Sequence, residues 1–174
     1  FVIGGIEALF IRLQLATPNG EILSADAYNQ MFTMHATTMV FLVVMPAAAA
    51  LTNYFLPILI GARDVAFPRL NALSYWIFIF GGLFLTVSFF VGGAPDGGWF
   101  GYAPLSTQVP EVVRMDYWAL GLQFLGLASV LSSVNFITTV LTLRAPGMTL
   151  MRMPVFAWMA TVVSFLLLFS LPII

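Results

Sequence analysis

The sequence predicts an all-α protein, a polytopic bundle of membrane-spanning helices, and three observations predict it. Of its 174 residues 61% are hydrophobic and 7% charged, whereas a soluble domain has about 45–50% apolar and about 25% charged residues. Six arginines, seven carboxylates and no lysine cannot cover a water-facing surface of this size. The apolar residues fall in runs near the ~20 needed to cross a bilayer. Those runs lack a period of two, which argues against a membrane β-barrel, and an open chain in lipid satisfies its backbone only as helix. The net charge of −1 gives no electrostatic footprint for nucleic acid. With no cysteine, disulfides and thiolate metal sites are excluded.

Taken in order, residues 1–16 read as the tail of a first helix. Residues 29–60 form a second, long enough to be tilted or kinked, with Pro46 and Pro57 inside it. Residues 72–92 form a third, 117–143 a fourth and 151–174 the start of a fifth. The whole of 1–174 is expected to be one transmembrane domain cut within a helix at each end, an internal piece of a longer protein. No repeat, soluble domain or basic-flanked signal peptide is visible.

Charge divides between the loops. Arg63 and Arg69 follow the second helix, and Arg144 and Arg152 follow the fourth. The opposite loops hold Arg114 alone among basic residues, with Glu21, Asp26, Asp96, Glu111 and Asp116. The positive-inside rule places 61–71 and 144–151 in the cytoplasm and 17–28 and 93–116 outside.

Function in such a chain is sought at polar groups that lipid should exclude. His35 is the only histidine. Its imidazole is either an axial ligand to a metal or heme iron or a hydrogen-bonded histidine between helices. Asn53, five α-turns later, falls on the face of His35, roughly 27 Å along the axis, provided Pro46 does not rotate it. Ser132, Asn135, Thr139 and Thr142 form one stripe on the fourth helix, which either glues helices or lines water. Asp64, between Arg63 and Arg69, is either a solvated loop charge or a collector of protons at the mouth of the bundle. Arg12 must find an acceptor or snorkel to the outer surface. Glu7 is similarly out of place, about 140° from Arg12 around the helix.

The stretches YNQMFTMHATTMVFLVVMP, LPILIGARDVAFPRLNALSYW and SSVNFITTVLTLRAPGMTLMRMPVFAW closely resemble subunit I of heme–copper respiratory oxidases, in the A-type branch that includes cytochrome c oxidases. The resemblance runs from GGIEALFIRLQL to LLLFSLPII, which would be the end of helix one through helix five of a twelve-helix subunit. It implies that His35 ligates the iron of a low-spin heme. Arg12 would hydrogen-bond a substituent of that heme, a formyl group if the heme is A-type, and Trp99, in GGWFGYAPL, would contact a propionate of a high-spin heme. Asp64 would open a proton pathway, with Asn53, Asn71 and Asn135 near its mouth and Ser74 and Ser129 holding its waters.

The resemblance further implies copper, with its ligands and those of the high-spin heme outside this chain, so no catalytic residue is expected within it. The implied partners are subunit II and other oxidase subunits, cytochrome c as electron donor, oxygen as substrate and the lipid of a bacterial plasma membrane. Two positions depart from the pattern. Ala128 stands where many members have a second serine, and Ala27 stands where well-known ubiquinol oxidases have a histidine, although Glu7 falls where those enzymes carry an acid. A ubiquinol oxidase is therefore the alternative. A secondary transporter would use Pro46, Pro57 and Asn53 but not His35 or Arg12, and a purely structural membrane subunit would need neither His35 nor Asp64.

Overall fold

The computed structural model describes residues 1–107 and 112–171; Glu111 and 172–174 lie outside the described residues. Among the described residues the regular elements are all helical. They are α1 (Val2–Gln14), α2 (Ala25–Thr37), a π-helical segment (Thr38–Val44), α3 (Met45–Ile60), α4 (Pro68–Val87), α5 (Val112–Thr142) and α6 (Val155–Ser170), with short 3-10 turns at Ser88–Phe90, Leu105–Thr107 and Leu150–Arg152. Among the described residues three stretches are long and apolar enough to cross a membrane: Ala25–Ile60, Pro68–Phe90 and Arg114–Thr142. Val155–Ser170 is apolar but shorter. The chain is thus a membrane helical bundle.

Several helices start away from the edges of the apolar runs, and the reasons are local. Helix α2 begins at Ala25 rather than 29 because Ser24 caps it, its hydroxyl accepting the Ala27 N–H at 3.2 Å, while Asp26 sits in the first turn. Helix α4 begins at Pro68 rather than 72. Proline at the first helical position gives up only an N–H that has no partner there anyway, and the Phe67 carbonyl accepts from Asn71 N at 3.0 Å. Helix α5 starts at Val112 rather than 117, and α6 at Val155 rather than 151, after the 3-10 turn at Leu150–Arg152. The π segment immediately precedes Pro46. A proline ring collides with the carbonyl four residues back and supplies no N–H, and the wider i→i+5 turn relieves that conflict. The count that put Asn53 on the face of His35 assumed unbroken α-helix, so it does not carry across this segment.

The chain forms two compact units, Phe1–Met45 with Gly81–Leu122, and Pro46–Phe80 with Gln123–Ile174. The first unit holds the loops rich in carboxylates. In it α1 packs on α2 and the π segment, with Gly4 at the contact: a Cβ there would lie 2.8 Å from Met39 Sδ. The loop after the 3-10 turn is tied down by side chains of α2, since Gln30 Oε1 accepts from Ala94 N and Thr33 Oγ1 from Gly98 N, each at 3.0 Å. Arg114 closes the same end, donating to Asp26 Oδ1 at 2.8 Å and to the Gly92 carbonyl at 3.0 Å, with Asp96 at 3.7 Å.

The second unit holds Arg63, Arg69, Arg144 and Arg152 with one carboxylate, Asp64. Its core is Leu56, Ile60, Val65, Phe136, Val140, Met153 and Ala157. Arg144 closes the C-terminus of α5 by donating to the carbonyls of Val140 and Met148, a favourable place for a cation.

One packing constraint gives a direct test. A Cβ at Gly121 would lie 2.4 Å from Cγ of Leu85, which is fully buried. Gly121→Ala in the full-length protein is predicted to cost about 1–3 kcal/mol through overpacking. Gly5→Ala, where nothing lies within 4 Å, is predicted to be neutral or stabilising by up to about 1 kcal/mol. Thermal unfolding in detergent measures both, and equal melting temperatures for the two variants would contradict the packing argument.

Candidate functional site

The polar residues gather in two places, one in each unit. In the first, His35 is half-buried near the end of α2, and its Nδ1 lies 2.8 Å from the Gly4 carbonyl oxygen. A carbonyl can only accept, so Nδ1 carries the proton, and the Nδ1–H tautomer has its lone pair at Nε2. Metal-ligating histidines are commonly held in this way, one nitrogen donating to a backbone carbonyl to fix ring and tautomer while the other is free to bind. The arrangement depends on Gly4, because the close approach of α1 that brings its carbonyl to His35 leaves no room for a side chain.

Arg12 lies two turns further along α1, in its last turn. It is exposed, and its guanidinium makes no hydrogen bond or ion pair with other described residues. Trp99 is 42% exposed, with its ring edge-on to Phe100 at 6.4 Å. The backbone beside it is fixed, since Gly98 N is the group bonded to Thr33. Thr37, one turn after Thr33, accepts from Trp118 Nε1 at 3.2 Å. Thus α2 turns one face to the loop and α5 through Gln30, Thr33 and Thr37, and another to α1 through His35. Glu7 is 5% exposed on the same face of α1 as Gly4, and its Oε2 has no partner among the described residues.

In the second unit the loop carrying Asp64 is held by three successive amides. Val65 N donates to Asp64 Oδ1 at 2.7 Å, Ala66 N to Thr139 Oγ1 at 2.8 Å and Phe67 N to Asn135 Oδ1 at 2.8 Å. Asn135 also donates from Nδ2 to the Phe67 carbonyl at 3.3 Å, so both ends of its amide are spent on one residue. Asn135 and Thr139 are fully buried, whereas Asp64 is exposed. The stripe on α5 is therefore glue at these two positions, binding a loop as well as a helix.

The other expected members divide. Ser74 donates to the Asn71 carbonyl at 2.8 Å and accepts from Ser132 at 3.1 Å, so a short hydroxyl chain joins α4 to α5. Ser129 donates to the Leu125 carbonyl of its own helix at 3.0 Å. Ser132 takes the place next to Ser74; it belonged to the stripe on α5, but spacing alone could not single it out. Asn53 donates to the Ala49 carbonyl at 3.0 Å, while its Oδ1 is buried without a partner, a group that calls for a polar visitor such as water. Among the described residues no group of three or more His, Cys, Asp or Glu is placed to hold a metal ion.

Comparison with known proteins adds a family. The family model for cytochrome c and quinol oxidase polypeptide I matches residues 1–174. The chain is 53% identical over 172 residues to cytochrome c oxidase subunit 1 of Bacillus sp. (strain PS3), covering 99% of this chain and 28% of that protein. It is 54% identical over 172 residues to cytochrome c oxidase subunit 1 of Bacillus subtilis (strain 168), with the same coverage. Quinol oxidase subunit 1 of Bacillus spizizenii is 42% identical over 172 residues, 98% of this chain and 26% of that protein. The chain thus spans little more than a quarter of the length of these curated relatives.

Proposed function

The chain belongs to the cytochrome c and quinol oxidase polypeptide I family, and from that premise we propose that it is part of the catalytic subunit of a terminal oxidase. The parent takes electrons from cytochrome c, reduces oxygen to water and couples this to proton translocation. The observation that carries the reading is the committed tautomer of His35, whose Nδ1 is bound to the Gly4 carbonyl while Nε2 is left to an iron. The residues present fit a low-spin heme: the His35 imidazole of this chain would hold the iron together with a ligand from elsewhere in the parent. When bound, the heme groups, of A type in this proposal, and copper supply the electron-transfer and oxygen chemistry; copper and the high-spin iron would be held by residues outside this chain.

This chain's own residues do the rest. His35, held by the Gly4 carbonyl, would hold the heme iron. Arg12, with a free guanidinium, donates to a ring substituent and so tunes the potential. Trp99 contacts a propionate of the second heme. Asp64, exposed between two arginines, exchanges protons with water. Asn53 Oδ1, with Asn71 and Ser74, offers polar groups along a route inward, and Asn135 and Ser129, whose own bonds are made within the protein, frame it. The arginine-rich loops of the second unit face the cytoplasm under the positive-inside rule, in a bacterial plasma membrane. Subunit II and the other oxidase subunits complete the assembly.

A second reading, oxidation of a quinol by the same subunit, is favoured by one feature: the buried, unpartnered carboxyl oxygen of Glu7. A quinol hydroxyl would satisfy it. Steady-state oxidation of reduced cytochrome c against that of ubiquinol by the purified parent decides between the two.

Three outcomes are expected. In the full-length protein His35→Ala should abolish the low-spin heme spectrum, and Arg12→Met should keep it with shifted bands and potential; an unchanged low-spin spectrum in the alanine variant would remove His35 as the ligand. Asp64→Asn should assemble with normal heme spectra but show strongly reduced oxygen consumption and little proton pumping in vesicles, and wild-type turnover there would return Asp64 to an ordinary loop charge. Single cysteines at Arg63 and at Tyr102, both exposed, should react with impermeant reagents from opposite faces, Arg63→Cys from the cytoplasm; reaction of both from one face would overturn the orientation.

A further inference from the structure

We propose that Thr33 is a positioning residue for Trp99, acting through the backbone turn that presents the indole. The inference rests on the reading of Trp99 as the contact of a high-spin heme propionate, and adds to it a residue and a means of action.

Packing does not give Trp99 its heading. The residue is 42% exposed, and its ring meets Phe100 edge-on at 6.4 Å. Phe100 is itself exposed, so neither ring anchors the other, and the heading must come from the backbone. Trp99 and Phe100 are the two corner residues of a tight turn, closed by the Gly101 N–H donating to the Gly98 carbonyl at 3.2 Å. Gly98 enters that turn at φ +75°, in the left-handed region, and a Cβ there would lie 3.0 Å from the Phe100 ring. The direction in which the chain leaves Gly98 for Trp99 therefore depends on how the Gly98 peptide lies.

Helix α2 sets that peptide. Thr33 Oγ1 accepts from Gly98 N at 3.0 Å, across 65 residues of chain. The same hydroxyl donates its proton to the Asn29 carbonyl at 2.8 Å, which leaves its lone pairs for the loop. Thr33 is fully buried, so no water competes for the amide. Thr52 and Thr86 likewise donate four residues back, the usual way a helix silences a hydroxyl; Thr33 adds a long-range amide to that bond. The far end of the turn rests on the same helix. A Cβ at Gly101 would lie 3.0 Å from the Trp118 ring, and Trp118 Nε1 donates to Thr37 Oγ1 at 3.2 Å. Two threonines one helical turn apart thus brace the two ends of the four-residue turn. The Gly101 end is a van der Waals contact, which permits sliding. The Gly98 end is a directed bond at the residue next to Trp99, and it makes Thr33 the residue that sets the indole.

The test uses the full-length oxidase with Thr33→Val, which keeps shape and deletes the hydroxyl, and Thr33→Ser, which keeps the hydroxyl. Thr33→Ala serves as a second hydroxyl-free variant, free of any crowding by valine. The first readout is hydrogen–deuterium exchange in a peptide covering residues 92–101. Loss of the buried acceptor should speed exchange at Gly98 roughly five- to tenfold, with wild-type protection in the serine variant. The second is the midpoint potential of the high-spin heme by redox titration. An indole N–H that no longer reaches the propionate leaves its charge less compensated, which favours ferric iron. The potential should therefore fall in the valine and alanine variants and return with serine, at an unchanged low-spin spectrum. Wild-type exchange in both hydroxyl-free variants would overturn the pinning of the turn. Faster exchange with a wild-type potential would overturn its bearing on Trp99, and an altered low-spin spectrum would do the same, because the effect would then pass through His35. Trp99→Phe, measured alongside, separates the layers: a wild-type potential there removes the propionate contact and this proposal with it, whereas a fall in Trp99→Phe and none in Thr33→Val removes the positioning role alone.

Discussion

Lipid offers a peptide no hydrogen-bonding partners, and the rest of the structure depends on that. A polar group left unpaired in the hydrocarbon costs several kcal/mol, while a bond made inside the protein contributes about 1 kcal/mol net, so the geometry is governed by avoidance of the loss. The hydroxyls show it most simply: Thr86 and Ser129 donate to carbonyls four residues earlier in their own helices, which silences them. The polar side chains that do not bond back stand out against that background. His35 reaches Gly4, Trp118 reaches Thr37, and Asn135 reaches Phe67. Each reaches a different element, and these crossings place both candidate sites.

The same constraint gives the glycines their places. A carbonyl can be offered to a neighbouring helix only where that helix comes close, and close approach requires that one side carry no Cβ. Gly4 satisfies both needs at once, admitting Met39 to the contact and presenting its carbonyl to His35. Shape and chemistry are therefore coupled at one residue, and His35 is oriented by a backbone atom that substitution cannot alter directly but can displace.

The fold class was legible because composition dominates it: with 7% charged residues no other solvent is possible. Helix starts were less legible. An apolar run marks where lipid begins, whereas a helix begins at its first hydrogen bond, and the opening turns Ala25–Tyr28 and Val112–Asp116, which carry Asp26, Arg114 and Asp116, belong to the helix but not to the run. The stripe on α5 was visible as spacing, yet spacing could not tell glue from a water lining. The deciding partners, the amides of Ala66 and Phe67, lie in a loop with no periodicity to read. Spacing likewise did not single out Ser132, whose hydroxyl the structure pairs with Ser74. The π segment left no mark in the sequence beyond Pro46, and it undid the register that linked Asn53 to His35.

The capping of Phe67 by Asn135 has a consequence for how the chain is made. The two residues are 68 positions apart, and a ribosome adding about 5–20 residues per second would deliver Asn135 roughly 3 to 14 s after Phe67. Through that interval α4 exists with its first turn open and the amides of Ala66 and Phe67 unclaimed. They cannot wait in the hydrocarbon. Arg63 and Arg69, on either side, would favour the aqueous headgroup layer for the segment until the later helix arrives. On this view the arginines serve biogenesis before they serve any electrostatic purpose in the finished protein, keeping an unfinished helix end wet until its cap has been synthesised.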